Sequence, residues 1–305
     1  MQNKLFSKEW LPVSDGHSLH LARYGHPEGK PVLCLHGGPG TGCLPGDLAV
    51  WGEQKWQVIM MDQRGAGLSK PWASTDNNDF SHLLQDIEAV RHHFGFDSWH
   101  LAGGSFGATL GLLYAALYPE RVEKGLFWGL FIPSAAGVNW LYGESGAALL
   151  FPDAYHRFSD RLQPRLRELL VNFSAELQSA DESIRDAALR RWIGWESELA
   201  MPGSRGHWES TGRAQAMAAI QLHYAMNDYF DGAERWQQML AELKVPCWIL
   251  QGENDWVSPT TMLRRALEPG PDCLSLEVVP AAHHSLADPR MFRAVHRAVA
   301  TLYQE

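Results

Sequence analysis

The chain has 305 residues, of which 45% are hydrophobic and 20% charged, the usage of a globular protein whose core needs neither disulfides nor a structural metal. Lys and Arg number 26 against 35 Asp and Glu, a formal net charge of −9 with no Lys/Arg run, which argues against the basic surface a nucleic-acid partner requires. The first ten residues hold no apolar signal-like segment and no apolar run approaches the ~18 residues of a membrane span, so the expectation is a cytoplasmic protein without a membrane partner.

Residues 8–24 read as a hairpin: alternating apolar positions flank Asp15-Gly16, a dipeptide that favours tight turns. Pro31-Val32-Leu33-Cys34-Leu35 is a continuous apolar run ending in His36-Gly37-Gly38-Pro39-Gly40, the pattern of a strand buried on both faces. Gln57–Met61 is a second such run, ending in Asp62-Gln63-Arg64-Gly65. Phe80, Leu83, Leu84, Ile87, Val90 and Phe94 have helical spacing, with Asp79 as the N-cap. Trp99–Ala102 is a third buried strand, followed by Gly103-Gly104-Ser105-Phe106-Gly107 and an apolar helix that Pro119 stops. Val122–Leu130 is a further strand.

Residues 131–240 break this rhythm; they are helical in pattern, rich in Arg, Glu, Ala and Trp, and poor in β-branched residues. Strands resume at Val245–Leu250 and Leu274–Val279, and residues 290–303 form a closing helix. Strands alternating with helices predict a mostly parallel α/β sheet covered on both faces. The expected organisation is a core from 1–130 and 241–305, with residues 131–240 inserted as a helical cap.

The cysteines Cys34, Cys43, Cys247 and Cys273 show no CxxC pair and no zinc spacing, so no metal is expected. Gly103-Gly104-Ser105-Phe106-Gly107 matches G-x-S-x-G, the strand-to-helix turn that exposes a nucleophilic serine. A serine hydroxyl needs a base, and the base needs an orienting carboxylate. Scaffolds with this turn place them in the order Ser, Asp/Glu, His. Asp255 or Glu253, after the strand ending at Leu250, fits the acid; His284 or His283, after the strand ending at Val279, fits the base. The oxyanion that forms in acyl transfer needs backbone donors: the N–H of Phe106 and one from the His36–Gly40 loop.

These segments together resemble the proline iminopeptidases, α/β-hydrolase serine peptidases with a helical cap. The likeness rests on His36-Gly37-Gly38-Pro39-Gly40, Asp62-Gln63-Arg64-Gly65-Ala66-Gly67-Leu68-Ser69 and Gly103–Leu110. It extends to Leu117–Val122, Trp140–Glu144, Leu150–Ala154, Trp192-Ile193-Gly194-Trp195-Glu196 and the loops around Asp255 and His284, and so covers nearly the whole chain. The resemblance implies a catalytic Ser105, Asp255 and His284, with His283 in place of a family glycine, and oxyanion donors at the N–H groups of Gly38 and Phe106. It implies that Glu196 anchors the α-amine of a small peptide substrate, that Phe131 and Tyr142 wall the proline pocket, and that no cofactor is used.

Two departures from the family pattern bear on the substrate pocket. The segment Ile-Glu-Asn-His-Tyr-Phe reads here Ile220-Gln221-Leu222-His223-Tyr224-Ala225. Gln221 removes the second of two carboxylates facing the amine, and Ala225 removes one aromatic wall. The expected function is therefore an aminopeptidase that releases N-terminal proline or another small residue. The alternatives are a carboxylesterase or amidase indifferent to a free amine and, more weakly, a non-catalytic binding protein.

Overall fold

Asp15 and Gly16 turn the chain with φ of 59° and 76°, and the flanking strands β1 (Leu5–Pro12) and β2 (Ser18–Gly25) pair antiparallel. The computed structural model describes residues 4–52, 55–160, 165–203 and 212–304. Six further strands, β3 (Lys30–Leu35), β4 (Trp56–Met61), β5 (Trp99–Gly104), β6 (Val122–Trp128), β7 (Cys247–Gly252) and β8 (Leu274–Val279), run parallel to one another. The sheet order is β1-β2-β4-β3-β5-β6-β7-β8, with β2 joined antiparallel to β4. Every residue of β4 and β5 is buried, including the polar Gln57 and His100, as central strands covered on both faces are.

Alternate side chains feed two apolar clusters, one on each face of the sheet. Leu33 and Leu35 join the cluster that contains α1 (Phe80–Phe94) and α2 (Phe106–Leu117). Val32 and Cys34 point into the other, which holds Met291, Val295 and Val299 of the last helix. The α1 helix starts where expected: the Asp79 carboxylate accepts the His82 N–H at 3.1 Å.

Between β6 and β7 lie α3 (Ala135–Tyr142), α4 (Pro152–Phe158), α5 (Leu166–Leu177), α6 (Glu182–Ala200), α7 (Gly212–Met226) and α8 (Gly232–Glu242). Aromatic packing holds the first of these together. Phe158 stacks on Phe173 at 4.9 Å and on Trp195 at 5.5 Å, and Trp192 and Trp195 are buried. The helix α8 instead packs against α2 on the flank of the sheet, so the boundary expected near residue 240 falls inside a helix of the core layer. A short helix, α9 (Thr260–Ala266), follows β7, and α10 (Pro289–Gln304) closes the chain. Among the described residues no helix is long and apolar enough to cross a membrane.

Candidate active site

The chain leaves β5 at Gly104 and enters α2 at Phe106, so Ser105 alone makes the turn. Its φ is 57° and ψ −124°, a conformation that costs a residue with a side chain about 1–3 kcal/mol unless its surroundings enforce it. The surroundings do so through close contact. A Cβ on Gly107 would lie 2.2 Å from the Leu35 carbonyl oxygen, so only glycine lets α2 approach β3. The Ser105 N–H donates to the Trp128 carbonyl at 2.9 Å and ties the turn to the end of β6.

Asp255 lies in the loop after β7 and is 1% exposed. Its Oδ1 accepts the N–H groups of Val257 and Ser258 at 3.0 and 2.9 Å. Its Oδ2 accepts from Gln251 Nε2 at 2.8 Å and from His284 Nδ1 at 2.7 Å. With Nδ1 donating to the carboxylate, the lone pair of a neutral His284 sits on Nε2. Burial pushes the His284 imidazole down, but the charge and hydrogen bond of Asp255 outweigh it and Glu196 adds to them, so it titrates above the ordinary histidine range. The rival residues have other partners. His283 Nδ1 donates to Asp288 Oδ2 at 2.8 Å, and Glu253 Oε2 accepts the Ala281 N–H at 2.8 Å.

Ser105 and His284 line one cavity of about 630 Å³, together with Gly38, Phe131, Tyr142, Glu196 and Gln221. Gly37 lies directly on the turn: a Cβ there would be 3.0 Å from Ser105 Cβ. Phe106 is the first residue of α2, so its N–H has no acceptor within the helix.

Gln221 and Trp192 set the polarity of the cavity's far end. Trp192 Nε1 donates to Gln221 Oε1 at 2.7 Å, which turns the Gln221 amino group toward Glu196 Oε2 at 3.2 Å and the Gly38 carbonyl at 3.4 Å. Tyr142 donates its hydroxyl to Glu196 Oε1 at 2.7 Å. Burial raises the Glu196 carboxyl above its ordinary value, and these hydrogen bonds only partly oppose it. Glu196 is thus a half-buried carboxylate lining the cavity, not a fully solvated surface charge.

One expectation is corrected. Ala225 is 2% exposed within the core and is not among the residues that line the cavity. The wall there is Tyr229, just past the end of α7, whose ring centroid is 4.8 Å from that of Phe131. Asp228, Tyr229 and Phe230 have φ of 48°, 57° and 59°, a left-handed turn that costs about 1–2 kcal/mol per residue and that no glycine announces. Trp128, which also lines the cavity, is legible in the sequence only as a buried strand residue. Among the described residues no group of three or more His, Cys, Asp or Glu is placed to hold a metal.

Comparison with known proteins identifies the family and the fold. Residues 30–288 match the family described as the alpha/beta hydrolase fold. The chain is 34% identical over 295 residues to a probable proline iminopeptidase of Leptolyngbya boryana, covering 93% of this chain and 90% of that one. It is 35% identical over 298 residues to the proline iminopeptidase of Xanthomonas citri, covering 94% of each. Among solved structures, a proline iminopeptidase-related protein of Thermus thermophilus superposes with a TM-score of 0.67 at 20% identity, covering 99% of each chain. That likeness speaks for the shared fold.

Proposed function

This chain belongs to the proline iminopeptidase family of α/β hydrolases, and from that premise we propose that it is a serine aminopeptidase releasing N-terminal proline, or another small residue, from short peptides. Ser105 Oγ attacks the carbonyl of the first residue while His284 Nε2 takes its proton. Asp255 holds the imidazole and stabilises the imidazolium through the 2.7 Å bond to Nδ1. The N–H groups of Gly38 and Phe106 receive the oxyanion. His284 returns the proton to the leaving nitrogen, the C–N bond breaks, and the shortened peptide departs. Water, deprotonated by His284, then attacks the acyl-enzyme ester and frees the amino acid and Ser105. Helices α3 to α7 act as a cap over this chemistry and admit short chains. The four unpaired cysteines accord with action in the cytoplasm.

The observation that carries the reading is Glu196, a carboxylate lining the same cavity as Ser105 and His284. An α-ammonium placed there has a charged acceptor. The test is initial rates on prolyl and alanyl arylamides, each paired with its N-acetylated form. Hydrolysis of the free-amine forms alone is expected, with turnover abolished in a folded Ser105→Ala variant. Equal hydrolysis of acetylated amides or simple esters would favour the esterase or amidase reading. The engaged oxygen of Gln221 supports that second reading, since it leaves one carboxylate for the amine.

A further inference from the structure

The cavity lining divides between the two apolar clusters on opposite faces of the sheet. Phe131, Tyr142, Tyr229 and Val257 belong to the cluster on the α2 face, beside Glu196. Cys34, Trp128, Leu286 and Phe292 belong to the cluster on the α10 face. Ser105 and His284 stand between the two sides: the backbone N–H of His284 donates to the Ala200 carbonyl of α6 at 3.3 Å, while Trp128 of this second lobe lies beside Gly104. A Cβ on Gly104, the residue before Ser105, would lie 2.2 Å from Trp128 Nε1, and Leu286 follows shortly after His284. No Lys or Arg is among the described residues that line the cavity. The ionisable group on this side is Asp47, whose Oδ2 accepts the Leu44 N–H at 2.9 Å. Arg213 binds the carbonyls of Thr41 and Cys43 at 3.0 and 2.9 Å from outside the lining.

We propose that this second lobe receives the leaving group and selects an apolar, uncharged one: an apolar second residue whose carboxyl is amidated or continues into peptide, in preference to a dipeptide with a free carboxylate. The proposal rests on the aminopeptidase reading, which assigns the first residue to the Glu196 side. The leaving nitrogen must then lie on the side of His284, which protonates it. Its side chain meets Trp128, Leu286 and Phe292, and burial there is favourable. A free carboxylate in the same place meets no Lys or Arg among the described lining residues and faces the Asp47 carboxylate, so its lost hydration is poorly compensated.

The test compares kcat/KM for Pro-Phe-NH2, Pro-Phe, Pro-Gly-NH2 and Pro-Gly. The expected result is at least about a tenfold preference for the Phe amide over both the Phe acid and the Gly amide. A Leu44→Arg substitution, at a position 40% exposed on the lobe's rim, should raise turnover of Pro-Phe and narrow the amide-to-acid ratio. Acid and amide forms cleaved within about twofold of each other, or Gly as good as Phe, would overturn the lobe's role while proline release stands. Turnover of none of the four, with N-acetylated amides or esters hydrolysed, is the separate failure of the aminopeptidase reading and removes this inference with it.

Discussion

Replacing Gln221 by Glu tests the wiring of the amine-facing end directly. The variant carboxylate can still accept from Trp192, but its second oxygen takes the place of an amino group 3.2 Å from Glu196 Oε2. Two unit charges at that separation repel by about 5 kcal/mol at an effective dielectric of about 20. Glu196 already sits above its ordinary pKa through burial, and the Gln221 hydrogen bond is one of the effects that hold it down. Losing that donor and gaining a charge pushes the pair further up, so the folded state retains a proton that the unfolded chain releases. The sign follows: between the unfolded carboxylate range and the raised folded value, stability falls as pH rises. Protonation relieves most of the repulsion, leaving a net loss of about 1–3 kcal/mol near pH 8 and little near pH 5. A bound ammonium replaces the shared proton, so proline should restore more of the melting temperature of Gln221→Glu than of the parent, and KM for a prolyl arylamide should fall near pH 8. Thermal unfolding at both pH values, with and without proline, reads this. A melting temperature deficit independent of pH, with no extra stabilisation by proline, would refute both the placement of Gln221 against Glu196 and the assignment of the amine to that end.

The acid limb of kcat/KM reports two groups. His284 must be neutral and Glu196 ionised, both titrate above their ordinary values, and both fail as pH falls. The limb should therefore approach a logarithmic slope of about two, reduced to about one in Glu196→Gln; an unchanged slope would place the amine anchor elsewhere. Gly107→Ala sets a Cβ 2.2 Å from the Leu35 carbonyl, which a backbone atom cannot evade. A melting temperature loss equivalent to about 1–3 kcal/mol or more is expected, and a parental melting temperature with full activity would show that the turn does not depend on this contact.

Most of the sheet was legible because each strand declares itself locally. Runs such as Val32–Leu35 are apolar throughout, and Trp99–Ala102 is apolar but for His100; each leads into glycine, the pattern of a strand buried on both faces. The turn at Ser105 is equally local, since its steric demand falls on residues within the same few positions. Its position between a buried strand and an apolar helix was readable for the same reason. Trp192 and Trp195, three residues apart on one face of α6, are both buried in the inserted helices.

Tertiary structure alone decided the rest. His283 and His284 are adjacent in sequence and alike in composition; only the loop geometry gives one to Asp288 and the other to Asp255. Glu196 has the same letter whether solvated or enclosed, and its raised pKa comes from the packing around it. Gln221 reads as an available amide until Trp192, from another helix, takes its oxygen. Tyr229 reaches the cavity through a left-handed turn that no glycine signals, and Ala225 is withdrawn from it. The physical reason is range. Backbone preference and hydrophobic period act within one element, whereas side-chain orientation, burial and charge depend on residues brought together from distant parts of the chain.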